Sequence, residues 1–304
     1  MSLSNVASST AIHDAPHFPL QATPANRPAV AEPGADAELE RLYADGVAGL
    51  PGAFGLERGA ELREDFHSML DHALSYEGGT VNRGPHRYYF SVPAERVRGF
   101  EYLVSHPLLA ALSAQVCGPD WQMVEVAFDV PRAGAVNQPW HRDFATPPDT
   151  EGQKVLTSLA FNVSTVDVTS EMGPFEVAPG THWDDGRDWP YGMFPIKPDR
   201  PRYEALAQKR LARLGDISVR TGLTIHRGTA NTTDVDRGVL ILGVVNSDDP
   251  TPDTHRLTMT RRYYEALPAA VRRHLRVTLV DELPAQQMQT HDIEGLVMGA
   301  VPGE

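Results

Sequence analysis

His141 and Asp143 stand two residues apart in the segment Asn137-Gln-Pro-Trp-His-Arg-Asp-Phe144, and His226 closes the later segment Thr224-Ile-His226. A strand is expected over Ala135–Trp140. At its end, alternate side chains leave the same face, so one imidazole and one carboxylate can reach a single ion. Gly215-Asp216 makes a turn into an expected strand Ile217–Arg220, and a further strand Leu223–His226 brings a second imidazole to a strand end. Two histidines and one carboxylate form the facial triad of non-haem Fe(II), with three coordination positions left open for substrate and oxygen. A structural zinc site would instead be closed by four ligands, commonly including cysteine. The chain has one cysteine, Cys117, set among Leu108, Leu109, Leu112 and Val116 at helical spacing. It reads as a buried thiol, and a single cysteine excludes an intramolecular disulfide.

A lone His-x-Asp arises in many proteins, where the histidine is simply hydrogen-bonded in place. Arg237 adds a second feature, because it lies at the mouth of the apolar strand Val239–Val245. With Thr229–Asp236 as the turn of a hairpin, the flanking strands run antiparallel and Arg237 becomes a neighbour of His226. A guanidinium placed there is costly without an anion. The alternative is a surface arginine paired with Asp234 or Asp236.

These residues need elements to position them. Short strands are expected at Met123–Val130, Ala135–Trp140, Val155–Val163, Phe175–Ala178, Ile217–Arg220, Leu223–His226, Val239–Val245 and Arg256–Thr260, separated by Gly, Pro and Asp turns. No helix recurs between them as a βαβ pattern requires, so the fold class is mainly β, a jelly roll with flanking helices. The helices are expected near Leu39–Tyr43, at Leu62–Leu74, at 107–116, at Tyr203–Leu211 and at Tyr263–Leu275. The expected organisation is a flexible N-terminal arm (1–35) and a single domain (36–304). Within that domain, 36–120 is a mostly helical cover and 121–260 the jelly-roll core with a long insert at 181–214. A C-terminal helix and tail follow at 261–304.

Composition narrows the partners. With 304 residues, 41% of them hydrophobic and 22% charged, the chain can bury a sizeable core. A formal charge of −13 repels a nucleic-acid backbone and an anionic membrane surface. The first residues lack a basic start and an apolar run, and no long apolar stretch follows, so a cytoplasmic protein acting on a small molecule is expected, with no membrane and no nucleic-acid partner.

Four segments in order resemble a known family. They are Gln138-Pro-Trp-His-Arg-Asp143, Gly173-Pro-Phe-Glu-Val-Ala-Pro-Gly-Thr-His182, Gly215-Asp216, and His226-Arg-Gly-Thr-Ala-Asn-Thr-Thr233 leading to Arg237. Together they are similar to the phytanoyl-CoA dioxygenase-like Fe(II)/2-oxoglutarate oxygenases. The resemblance implies a double-stranded β-helix (cupin-like) fold, iron held by His141, Asp143 and His226, and Arg237 on the distal carboxylate of 2-oxoglutarate. It also suggests that Asn162 and Gln138 help to seat the co-substrate, where the alternative is a structural hydrogen bond. Iron, 2-oxoglutarate and molecular oxygen are the cofactors so implied, and the outcome is oxidation of a small organic molecule, possible in natural-product biosynthesis. Hydroxylation is the default because family members that halogenate carry a small residue where Asp143 stands. Cyclisation, desaturation, epimerisation or demethylation would need the same ligands. Nothing resembles a phosphate cradle, so coenzyme A binding does not follow from the family name.

An arginine suits a distal carboxylate because its planar fork gives two parallel hydrogen bonds and stays charged. Candidate walls of the substrate pocket are Asn82–Phe90, with Arg87 and Tyr89, the stretch Trp183–Tyr191, and Phe144. The same residues could serve loop packing. The Gly173–His182 run reads as scaffold, and His182 itself as a loop or substrate-facing residue, since the triad is complete without it. Two competing readings are a cupin-like metal enzyme that uses no 2-oxoglutarate and a metal-binding sensor.

Overall fold

The computed structural model describes residues 35–146, 153–247 and 256–289. The expected N-terminal arm, apart from Ala35, and residues 290–304 of the expected tail lie outside the described residues. Strands β1 (Val47–Leu50), β2 (Val81–Asn82), β3 (Arg87–Ser91), β4 (Gln122–Pro131) and β5 (Ser158–Ser164) come first. They are followed by β6 (Phe175–Val177), β7 (Gln208–Arg210), β8 (Ile217–Arg220), β9 (His226–Gly228) and β10 (Val239–Val245), then β11 (Leu257–Thr260) and β12 (Val277–Val280). A seven-stranded sheet has the order β1-β8-β5-β10-β4-β3-β2, with every pair antiparallel. A three-stranded sheet, β7-β6-β9, faces it, and β11-β12 form a separate parallel pair. The two facing antiparallel sheets make the double-stranded β-helix of cupin-like proteins.

Alternation along the strands explains which face of the large sheet does what. Val126, Phe128 and Val130 of β4, Leu159, Phe161 and Val163 of β5, Ile217 and Val219 of β8, and Leu240 and Leu242 of β10 all join one hydrophobic core. That core is closed by helices α1 (Ala35–Asp45), α2 (Leu56–Leu74), α3 (Phe100–Ser105) and α4 (Pro107–Cys117). Leu62, Phe66, Met69, Leu70 and Ala73 form the buried stripe of α2, and Phe66 meets Phe128 with ring centroids 5.2 Å apart. Burying each such aromatic side chain is worth about 1.5–3 kcal/mol. Because the pleat has a period of two, Glu125, Ala127 and Asp129 of β4, Asn162 of β5 and Arg220 of β8 take the opposite face. The polar face of the large sheet therefore looks toward the small one.

Several expectations need correction. Residues 135–140 form no strand, because Pro139 cannot donate to a ladder. The ladder is patched instead: Gln138 N–H donates to the Gly228 carbonyl (2.9 Å), and the Gln138 side-chain oxygen accepts from Gly228 N–H (2.8 Å). Thr229–Asp236 is not a hairpin turn. It carries the chain from β9 in the small sheet to β10 in the large one, held by Asn231, whose amide donates to the Pro131 and Val235 carbonyls. His226 opens its strand rather than closing one, since Gly222 and Leu223 make a turn. The helix expected at Tyr203–Leu211 is α5 (Arg200–Leu206), and β7 follows it as an edge of the small sheet. Pro268 divides the expected C-terminal helix into α6 (Arg261–Ala266) and α7 (Ala269–Arg272). Strands β1, β2, β3, β7 and β12 were not expected from periodicity. Cys117 is buried, as expected. Among the described residues no helix is long and apolar enough to cross a membrane.

Candidate metal centre

His141 and Asp143 reach the centre from an irregular segment that is pinned by backbone hydrogen bonds. His141 and His226 exchange N–H···O=C bonds of 2.9 and 2.8 Å, and Asp143 N–H donates to Gly222 O at 2.8 Å. The His141 and His226 ring centroids are thereby held 4.4 Å apart. Among the described residues, one group of side chains could hold a metal ion, His141, Asp143 and His226, with one ligand atom of each within 4.8 Å of the others. Asp143 Oδ1 is 3.5 Å from His226 Nε2.

The chemistry of the donors suits a divalent ion. His141 Nδ1 lies 2.9 Å from Pro139 O and His226 Nδ1 lies 2.8 Å from Thr224 O. A carbonyl only accepts, so each Nδ1 carries the proton and each Nε2 keeps its lone pair for a metal, with the ring orientation fixed from behind. Burial pushes His141 down to about 4, and burial, His141 and Arg220 hold His226 well below the usual imidazole range. Burial acts to raise Asp143, but the neighbouring Arg220, with His226 and His141, outweighs it and holds the carboxyl below the usual range. Neutral imidazoles and an ionised carboxylate are the states that bind a cation.

A second, cationic group lies along the same polar face. Arg237 and Arg87 are 4% and 1% exposed, and both approach Asp129 Oδ2, at 3.5 and 2.9 Å. Arg87 also donates to Thr229 O (2.8 Å), and a Cβ on Gly228 would sit 2.2 Å from its Nη1, which ties this group to the strand that His226 opens. Arg237 Nε is buried without a hydrogen-bond partner, and burial pushes the guanidinium down to about 10. Two buried guanidinium groups sharing one carboxylate leave one positive charge uncompensated. Arg237 is therefore not the surface arginine of the alternative reading; Asp236 pairs with Arg132 instead.

The other expected contacts separate into near and far. Asn162 accepts from Arg220 Nη1 at 3.1 Å and stands beside the centre. The Gln138 side-chain oxygen accepts from Gly228 N–H, and its amide nitrogen lies 3.5 Å from Arg83 O. Arg87, expected as a pocket wall, is buried and pairs with Asp129. Tyr89 is half-buried and donates a short hydrogen bond to Glu125, on the same face. Phe144 is buried against Gly222, where a Cβ would meet its ring at 2.2 Å. Trp183 packs on Tyr43 and donates to its carbonyl (3.3 Å), and His182 is buried against the same carbonyl (3.2 Å); both belong to the scaffold under α1. Trp189, from the second proposed wall, joins Trp140, Tyr203 and Ile225 in a separate small core.

Sequence reading missed Arg220, Asp129 and Glu125. Arg220 was within reach: Ile217 and Val219 mark the core side of β8, so Ser218 and Arg220 must take the other face, where the ligands lie.

The match to known proteins agrees with this geometry. The family model for phytanoyl-CoA dioxygenase (PhyH) matches residues 42–239. Among curated proteins, none matches the chain. Among solved structures, the epimerase SnoN, in complex with Fe3+, alpha ketoglutarate and nogalamycin RO, is 21% identical. The alignment covers 73% of this chain and 88% of that one, with a TM-score of 0.57. The carbocyclase SnoK from nogalamycin biosynthesis is 18% identical over 72% of this chain and 86% of that one, with a TM-score of 0.56. AviO1 from Streptomyces viridochromogenes Tue57 is 19% identical over 73% and 99%, with a TM-score of 0.53. These likenesses show the shared fold. The family match spans most of the chain and its range includes His141, Asp143, His226 and Arg237, so the chain belongs to the phytanoyl-CoA dioxygenase (PhyH) family of non-haem iron and 2-oxoglutarate-dependent oxygenases.

Proposed function

We propose that His141, Asp143 and His226 hold one Fe(II), that Arg237 takes the distal carboxylate of 2-oxoglutarate, and that the enzyme hydroxylates a C–H bond of a small organic molecule. The observation that carries this reading is the pairing of a three-ligand centre with a buried, undercompensated Arg237 on the same face. When bound, the iron couples oxygen activation to decarboxylation of 2-oxoglutarate and removal of hydrogen from the substrate. The chain's own part is placement. The two backbone-locked imidazoles and Asp143 leave open positions, the Arg87–Asp129–Arg237 group receives an anion, and the polar face around Tyr89 and Glu125 meets the substrate. The carboxylate at position 143 favours hydroxylation over halogenation. Epimerisation and ring closure, the activities named for SnoN and SnoK, need the same ligands, and a natural-product substrate is proposed by that likeness.

Anaerobic titration of the metal-free protein with Fe(II) and 2-oxoglutarate should produce the weak visible charge-transfer band of the chelate. Arg237→Met should weaken 2-oxoglutarate binding at least tenfold with Fe(II) affinity unchanged. Bound iron without a band would favour a cupin-like enzyme that uses no 2-oxoglutarate.

A further inference from the structure

Arg220 is an unusual neighbour for a cation site. It is 7% exposed and projects from β8 onto the same face as the ligands. One nitrogen, Nη2, straddles both Asp143 oxygens at 3.2 Å, and Nη1 donates to Asn162 Oδ1 at 3.1 Å. Its Nε is buried with no hydrogen-bond partner, and the guanidinium lies 5.4 Å from the centre of the Phe175 ring. This is not the parallel fork that an arginine makes with a carboxylate it fully satisfies. Nη2 is shared between two oxygens at long distance, and one donor is left over.

Charge completes the argument. With a divalent ion beside it, Asp143 would face three positive charges, two from the ion and one from Arg220, and the buried Glu125 carboxyl, which also faces Arg220, adds at most one further negative charge. A surplus of at least one positive charge in a buried site calls for an anion there. The Arg87–Asp129–Arg237 group carries a further surplus at the other end of the same face. The two surpluses are separate, and a dicarboxylate has one negative group for each.

We propose that Arg220 is the second anion anchor of this site, holding the carboxylate next to the 2-oxo group while Arg237 holds the distal one. This rests on the reading of the site given above. Asp143 and Asn162 hold Arg220 in place. Once a metal ion shares Asp143, the free Nε and the loosened Nη2 are the donors offered to the keto acid.

The test uses Mn(II) affinity by calorimetry and the anaerobic Fe(II) chelate band, with 2-oxoglutarate and with pyruvate, which has the 2-oxo acid head but no distal carboxylate. Arg220→Met should weaken both ligands by a similar factor of at least ten, with Mn(II) affinity within about threefold of the natural protein, since the metal itself compensates Asp143. Arg237→Met should weaken 2-oxoglutarate and leave pyruvate untouched. Arg220→Lys, which keeps the charge without the fork, should retain part of the binding of both and guards against a folding defect in the Met variant. Unchanged pyruvate binding in Arg220→Met and Arg220→Lys would overturn the proposal. So would loss of Mn(II) affinity in step with loss of keto-acid binding, because Arg220 would then only position Asp143. If the natural protein binds Mn(II) but neither keto acid, the reading of the site falls first and this proposal with it.

Discussion

Neighbouring side chains in the metal motif leave in opposite directions, and each direction has its own chemistry. His141 and Asp143 point to the centre. Arg142, between them, is fully buried the other way, donating from Nε to Gly192 O (2.9 Å) and from Nη1 to Asp184 O (3.0 Å) over the face of Trp189. Burial pushes its guanidinium down to about 10. Gln138 has a structural use of its own. Its side-chain carbonyl caps the Gly228 N–H left over because Pro139 interrupts the ladder. Gln138→Met should cost ~1–3 kcal/mol of stability, the penalty for an unsatisfied buried donor, and leave the affinity of the Fe(II) protein for 2-oxoglutarate within about twofold. Denaturant melts and the chelate titration separate the two effects. A large loss of 2-oxoglutarate affinity without loss of stability would return Gln138 to the co-substrate.

At the scale of elements, the strands carrying apolar alternation were legible from sequence: β4, β5, β8 and β10 all lie where periodicity placed them, because each has one face in the main core. The strands that were not legible lack that signal. In β1, Val47-Ala-Gly-Leu50 sits within a glycine-rich stretch, and it is strand because β8 offers it an edge. In β3, Arg87-Tyr-Tyr-Phe-Ser91, Phe90 is the one residue that joins the main core while Arg87 and Tyr89 take the polar face, so the strand reads as a mixed loop. The candidate ligands were legible because metal chemistry tolerates few residue types, whereas walls are hard to read because aromatic side chains serve packing and binding alike. The insert 181–214 is a case of the former use. Gly186 lies so close to Arg142 that a Cβ there would be 1.6 Å from Nη2, and Trp189 and Tyr203 pack with Trp140. Arg142 is thus the pin between the insert and the metal motif. Arg142→Met should raise the rate of proteolytic cleavage within 184–193 several-fold while hydrogen exchange in β4 and β10 stays unchanged. Equal protection of the insert in the variant would show that the aromatic cluster holds it alone.

For the whole molecule, acidity of the medium bears on stability through buried histidines. His182 makes one hydrogen bond, Nε2 to Tyr43 O, its Nδ1 has no hydrogen-bond partner, and burial pushes it down to about 4 from an ordinary 6.5. The unfolded chain takes up a proton near the ordinary value and the folded one only near the depressed value. The contribution of His182 to stability is therefore complete above pH 6.5 and is lost progressively toward pH 4. His141 and His226 act in the same direction when no metal is bound. The melting temperature measured in chelator should drop between pH 7 and pH 5, and His182→Gln should flatten that dependence. An unchanged slope in a folded variant would mean that the two ligand histidines account for it.

One backbone contact has a consequence for how the enzyme is made. The reciprocal hydrogen bonds between His141 and His226 join parts of the chain separated by β5, β6, the insert and β8. Closing so long a loop must precede any return from the contact, which places its formation late in folding. A chain leaving the ribosome has two of the three candidate ligands in hand long before it has the third, and Arg237 comes later still. The candidate centre is therefore assembled only when both sheets exist to contain it.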